Sequence, residues 1–404
     1  MSKLLEGVTI VTPEVAESGP VSTQVLAFLG ATVYHIERPT SAYPPIFKDA
    51  THENVLLRNC NKQSLGIDSK REEGRELMWK LIERADVFME NFAPGAWERM
   101  GFSYEEVRKH NPEIIYVTLK GFAKASRWAN CVTIDPVSCA SGGSGYLSGY
   151  EDYLPMMCGV NVADSGTAIH AALTIALAVL QKKLTGKGQY IETPMQYAVV
   201  ANCRAGFIDR YATGKARRAG NGYRGVRPTG PWNVYPAQGP DMQGNFVAIT
   251  CRAEEEYRDF EHLCAAMERP DLLENPLYAT PEKRYANRLQ LDAEVRRWTL
   301  CRTRDEILRV LGLEWKVPVG KVNSIDDLVN DAFLTRGDGV LQTIEDPLLP
   351  KQLIMPTIPL KVSGEDTIRP VTCGPIGAGN HDVLCGFLGL SEEEYEALAA
   401  EKVI

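Results

Sequence analysis

The stretch Val8-Thr9-Ile10-Val11-Thr12-Pro13-Glu14-Val15-Ala16-Glu17-Ser18-Gly19-Pro20 decides the fold. A β-branched apolar run reads as a short strand and ends in a loop, Thr12 to Gly19. Pro20 then takes the preferred first position of a helix that closes at Gly30. Thr32 to Arg38 returns as a second strand. Such a strand-helix-strand unit builds parallel sheets, whose ligand sites lie at the carboxyl ends of the strands.

The pattern repeats downstream. A strand near Ser64-Leu65-Gly66-Ile67 precedes a helix carrying Leu77, Met78, Leu81 and Ile82, and a strand follows at Asp86-Val87-Phe88-Met89. A helical piece through Tyr104-Glu105-Glu106-Val107 leads to a buried strand, Ile114-Ile115-Tyr116-Val117. The first half is thus a doubly wound α/β domain. Gln189 to Glu192 reads as a further strand and Met195 to Tyr211 as a helix. From Trp232 to Pro318 a smaller α+β unit is expected, with a strand at Phe246-Val247-Ala248-Ile249-Thr250. Pro347 to Val362 reads as loop and strand, and Ser391 to Lys402 as an acidic terminal helix.

At 404 residues, the chain is expected to form two domains. Its formal charge of −8 disfavours nucleic acid or an acidic membrane as the main partner. The N-terminal residues lack a signal-peptide core, so a cytoplasmic location is expected. Ten cysteines contain no C-x-x-C pair, so neither a zinc site nor a thioredoxin-type redox pair is indicated, and they read as mostly buried thiols.

The chemistry-bearing stretch is Asp164-Ser165-Gly166-Thr167-Ala168-Ile169-His170, at the start of a long apolar helix. Ile169, Leu173, Ala176, Leu177 and Leu180 recur at the period of one buried helical face; Lys182 and Lys183 fill the last turn, and Gly186 supplies the stop. Asp164 is the candidate working carboxylate. It also suits an N-cap, whose oxygen accepts a backbone N–H and whose charge complements the helix dipole. Upstream, Ser141-Gly142-Gly143-Ser144-Gly145 is glycine-rich enough for backbone to approach a ligand.

Residues 214–236 are basic and rich in Gly and Pro, with Lys215, Arg217, Arg218, Arg224 and Arg227, and read as a linker or ligand loop. Gly220-x-Gly222-x-x-Gly225 matches the dinucleotide fingerprint only formally. No strand precedes it, and Val226-Arg227-Pro228-Thr229-Gly230-Pro231 cannot continue as the required helix. A nicotinamide or flavin site is therefore rejected.

Asn59-Cys60-Asn61-Lys62-Gln63-Ser64, the run Glu90-Asn91-Phe92-Ala93-Pro94-Gly95-Ala96-Trp97-Glu98-Arg99-Met100-Gly101-Phe102, and Gly186-Lys187-Gly188-Gln189 resemble signatures of the class III CoA-transferases. The resemblance runs from Leu5 to Ile404. It implies a Rossmann-like large domain over residues 1–203, rejoined by residues 333–404. It also implies linkers at 204–231 and 319–332, a small α+β domain at 232–318, and two chains threaded as interlocked rings. In the family the Asp matching Asp164 is the nucleophile, and CoA serves as substrate and product with no metal or redox cofactor. The partners implied are an acyl-CoA, a small carboxylic acid, and a second subunit that is either identical or a sister chain.

By motif, Arg38, Lys70 and Arg99 resemble the phosphate-side contacts, and Ile67, Asn91, Phe92 and Met100 the nucleotide and pantetheine path. Gly220, Gly222 and Gly225 resemble the glycine loop that covers the site. Members acting on formate have a Gln where this chain has the second catalytic candidate, Glu17, and a Tyr where it has Ile134, with the acidic Asp135 next door, which the resemblance counts among the CoA-binding positions. The glycine loop is interrupted by Asn221, Tyr223 and Arg224. These departures point away from formate and oxalate towards a larger or differently charged acid, such as a dicarboxylate or aromatic acid with succinyl-CoA as donor. Two alternatives stay open: an acyl-CoA racemase of the same fold, which needs His110, His35 or Glu17 beside Asp164, and a non-catalytic partner subunit.

Overall fold

The computed structural model describes residues 4–40, 57–150, 153–216, 218, 230–239, 244–252, 255–345, 352–364 and 369–404. They divide into two units, residues 1–142, 159–200 and 331–404 in the first, and 143–158 and 201–330 in the second.

The first unit is built on six parallel strands: β1 (Thr9–Pro13), β2 (Thr32–Glu37), β3 (Gln63–Gly66), β4 (Val87–Glu90), β5 (Ile115–Lys120) and β6 (Gln189–Pro194). Their order is β3-β2-β1-β4-β5-β6, so the direction of winding reverses between β1 and β4. At such a reversal the loops leaving the two strands diverge and open a crevice at their carboxyl ends.

Side chains alternate across the sheet and feed two apolar layers. Val11, Ile36, Leu65, Phe88 and Tyr116 enter one layer, where helix α2 (Glu72–Glu83) adds Leu77, Met78, Leu81 and Ile82. Ile10, Val33, Val87, Met89, Ile115 and Val117 enter the other, against helices α1 (Ser18–Phe28) and α4 (Val162–Thr185). Each buried Leu or Ile contributes roughly 2 kcal/mol, which is why these β-branched runs form central strands. The C-terminal segment packs into this unit: Asn380 bonds the N–H and C=O of Gly66, and the Asp68 N–H donates to Val403.

Helix α1 starts at Ser18, two residues before the expected Pro20. The proline is tolerated there because the first-turn N–H groups have no intrahelical acceptor. Helix α4 corrects a second expectation. The inward face buries Gly166 and Ala168 and sends Ala171, Ala172, Ile175, Ala178 and Val179 into the layer shared by the sheet and α1. Ile169, Leu173, Leu177 and Leu180 are 62%, 57%, 57% and 53% exposed. Both stripes share the helical period, and the smaller one lets the helix backbone lie close to the sheet. By length and composition α4 could cross a bilayer, but its inner face is a core face of the α/β unit. It ends as expected at Gly186, in the left-handed region at φ 68°.

The second unit holds an antiparallel sheet of β7 (Trp232–Pro236), β8 (Phe246–Thr250) and β9 (Val319–Lys321). Its core joins Val247, Ile249, Leu263, Leu291, Val295 and Leu311. The helix expected from Met195 to Tyr211 is two helices, Met195–Asn202 and Arg204–Thr213. Back in the first unit, β10 (Leu341–Ile344) pairs antiparallel with β11 (Leu353–Pro356). All ten cysteines are free thiols, six of them buried. Gly220, Gly222 and Gly225 lie outside the described residues.

Candidate active site

The loop from β1 to α1 carries Glu17 and is clamped along its length. The Asn91 side chain accepts from the Val15 N–H and donates to the Val15 carbonyl, both at 2.8 Å. Gly19 permits this approach, since a Cβ there would come within 2.7 Å of the Asn91 amide carbon. Arg58 donates to the Ala16 carbonyl and to Glu17 Oε2, each at 3.2 Å. Ala16 itself sits at φ 60°, a strained region for a residue with a Cβ, kept only where the surroundings over-determine it.

Asn161 Nδ2 donates to Glu17 Oε2 at 2.6 Å, joining this loop to the start of α4. Asn161 is the N-cap residue, and Asp164 lies inside the first turn rather than at the cap as its sequence context suggested. The capping oxygen comes from Asp135, the first residue of helix α3 (Asp135–Gly142). Its Oδ2 accepts from the Ala163 N–H at 2.8 Å and the Asp164 N–H at 3.0 Å. Asp164 is thereby free of capping duty, half-buried, with its backbone held by a second carboxylate.

Electrostatics follow from that crowding. Burial raises the Asp164 pKa, the negative charges of Glu17 and Asp135 raise it further, and a Ser18 hydrogen bond and the Arg58 charge pull it back; the carboxyl is pushed up to about 6. A carboxylate that is ionised at neutral pH yet poorly solvated is a competent nucleophile.

The model for CoA-transferase family III matches residues 5–380. The chain belongs to CoA-transferase family III. Formyl-CoA:oxalate CoA-transferase of Streptomyces avermitilis is 33% identical over 423 aligned residues, covering 100% of both chains. The protein of the same name from Streptomyces coelicolor is 32% identical, again over 100% of both. Among solved structures, a CAIB/BAIF family protein from Brucella suis matches at TM-score 0.78 and 26% identity, over 95% of this chain and 98% of that one. A Mycobacterium tuberculosis protein at 20% identity and TM-score 0.76, covering 93% of this chain and 97% of its own, shares the fold. This family III member is therefore a CoA-transferase.

The positions that resemble the family's CoA contacts follow the carboxyl ends of adjacent strands. Arg38 follows β2, is exposed, and lies 3.7 Å from Asp68. Lys70 follows β3 and is exposed. Asn91 and Phe92 follow β4, with Arg99 and Met100 beyond them. Ile67 departs from the expected role as a lining side chain: it is sealed in the apolar layer around α2, so a ligand could meet only its backbone. Asn91 is occupied in clamping Val15. Phe92 sets its ring against the edge of Trp97, and Met100 packs on the same apolar layer. Arg99 bonds the Pro94 carbonyl and fills the space that a Cβ on Gly95 would take.

The glycines upstream of Asp164 have a packing explanation. Gly142 is buried, and a Cβ there would come within 2.4 Å of Val199, while Gly143 ends α3 in the left-handed region at φ 98°. Sequence reasoning did not single out Arg58, Asn161 or Ser18. Asn161 carries a local signal, a cap-forming residue directly before the helix. Arg58 carries none, because its partners lie more than forty positions upstream. His110 and His35, the histidines a racemase would use, have other partners: His110 pairs with Glu83 and stacks on Trp79, and His35 is buried between Glu14 and Glu37.

Proposed function

We propose that this CoA-transferase moves CoA from an acyl-CoA donor to a carboxylic acid through covalent intermediates on Asp164. The observation that carries the reading is Asp164 in the first turn of α4, relieved of capping by Asp135 and raised to about 6 by burial and two neighbouring carboxylates. An Asp164 oxygen attacks the thioester carbonyl, and the C–S bond breaks to release CoA thiolate and leave a mixed anhydride. The thiolate attacks the aspartyl carbonyl, expelling the donor's carboxylate and leaving an aspartyl-CoA thioester. The acceptor carboxylate attacks that thioester, regenerating thiolate and a new mixed anhydride; the thiolate then takes the new acyl group and frees Asp164. Arg38, Lys70 and Arg99 are assigned to the CoA phosphates, and Phe92 and Met100 to the pantetheine path.

The acceptor in this reading is larger than formate or oxalate. Glu17 carries a charge next to Asp164 and shares Arg58 and Asn161 as partners. A compact dianion such as oxalate would place its second carboxylate against Glu17. A longer dicarboxylate or an aromatic acid keeps its far end clear. The strand order β3-β2-β1-β4-β5-β6 supports a Rossmann-like large domain. The exposed apolar stripe of α4 supports an interlocked dimer, either of identical chains or with a sister subunit.

Hydroxylamine trapping tests the reaction. Incubation with an acyl-CoA followed by hydroxylamine should leave a hydroxamate at Asp164, found by peptide mass. A racemase working with Asp164 and Glu17 as its acid-base pair would exchange the α-proton and leave Asp164 unmodified. A screen of acids against several donors then names the acceptor, and robust formate-oxalate exchange would overturn the size argument.

A further inference from the structure

We infer that Glu14 and Lys62 form a buried lock that positions the β1–α1 loop for chemistry at Asp164, with Glu14 a positioning residue that never meets substrate. The inference rests on the reading of Asp164 as nucleophile. Both side chains are 0% exposed, and Lys62 Nζ lies 2.6 Å from Glu14 Oε1. The ammonium uses its other donors on the Pro20 carbonyl at 2.8 Å and Asn59 Oδ1 at 2.7 Å. Glu14 precedes the clamped loop and Pro20 lies in the first turn of α1. One buried cation therefore ties the two ends of the segment that carries Ala16, Glu17 and Ser18.

The carboxylate of Glu14 is equally well held. Thr23 Oγ1 donates to it at 2.8 and 3.0 Å, Thr12 Oγ1 at 3.1 Å, and His35 Nδ1 lies 3.2 Å away. Asn59 turns its oxygen to Lys62, so its N–H groups face His35 Nε2 at 3.2 Å, and the ring lies between Glu14 and Glu37. Ion pairs this deep gain little net stability over apolar residues of the same shape, because desolvation offsets the attraction. What such a pair does supply is a fixed geometry, and here the geometry is that of the strained Ala16 turn and of the Glu17 and Ser18 side chains that set the charge on Asp164.

The experiment uses the full chain with Glu14→Gln and with Lys62→Met combined with Glu14→Gln. The readouts are melting temperature, single-turnover adduct formation on Asp164, and amide exchange over residues 15–21. The double variant removes both charges at once but leaves the Pro20 and Asn59 acceptors without the Lys62 donor, so it should melt several degrees below wild type while still folding. Its single-turnover rate should still fall about 100-fold, the scale of a misplacement near 1 Å. The KM for acyl-CoA should change less than about two-fold, since no binding contact is lost. Exchange across the loop should speed up. A double variant that folds and keeps the wild-type rate overturns the lock. Should it fail to fold, Glu14→Gln, which keeps Thr12 and Thr23 as partners, decides the point by the same rate. If wild type forms no adduct on Asp164, the nucleophile reading falls and loop exchange alone decides: faster exchange in Glu14→Gln upholds the lock, and unchanged exchange removes it.

Discussion

Asp135 holds Asp164 by its backbone: one carboxylate oxygen, 29 residues upstream, accepts the Asp164 N–H at 3.0 Å and the Ala163 N–H at 2.8 Å. The same contact brings a negative charge close enough to raise the Asp164 pKa. Capping and pKa tuning are therefore one interaction, and substitution can separate them. Asp135→Asn keeps an accepting oxygen and loses the charge, so stability should change little while the acid limb of the rate profile moves to lower pH. Asp135→Ala loses both and should cost about 1 kcal/mol in denaturant titration.

Glu17 acts on Asp164 in the same direction. With its carboxyl at about 6, Asp164 is ionised above that pH and protonated below it, so turnover should fall as pH drops through 6. Glu17→Gln removes a repelling charge, favours the ionised form, and should shift the acid limb down. The variant should also lower the KM for small dianionic acceptors. A rate profile with its acid limb unmoved would detach Glu17 from the site's electrostatics.

Asp164→Asn should abolish exchange by about four orders of magnitude, the scale of losing a covalent nucleophile. It should also stabilise the fold. The folded pKa lies above the ordinary value, so charging Asp164 opposes folding, and that penalty is fully present above about pH 6 and relieved as pH falls towards 4. The neutral amide escapes it. After solvent screening of this half-buried group, the gain at pH 8 is on the order of 1 kcal/mol, shrinking towards zero near pH 4. Thermal melts at the two pH values check the sign.

Leu173 and Leu177 lie on the outward stripe of α4. Leu173→Glu with Leu177→Lys leaves the inner alanines untouched, so on a solvent-facing ridge it would be nearly neutral; in the proposed dimer it should lower the melting temperature by several degrees and speed amide exchange along α4. A melting temperature and exchange rate unchanged in this variant would place the interface elsewhere.

Strands β1, β2 and β5 could be read from sequence because each is a short run rich in β-branched residues, as burial on both faces demands, whereas β3, Gln63–Gly66, has none. The faces of α4 could not. Leu and Ile outrank Ala on any hydropathy scale, yet the layer shared with α1 and the sheet takes the small-residue stripe, so close packing against α1 overrode side-chain size. At the site, Asp164 stood out by its place before an apolar helix, but its capping partner is supplied across 29 positions, and Arg58 reaches Glu17 across 41. Gly142 shows the opposite failure, a suggestive local composition explained by contact with Val199.

Helix α4 carries the proposed nucleophile in its first turn and an oily ridge along its outer side. On the proposed reading, chemistry and partnership share one rod. In an enzyme built this way a change on the ridge, far from the carboxylate, would be felt at the nucleophile, because whatever covers the ridge also steadies the rod on which Asp164 rides.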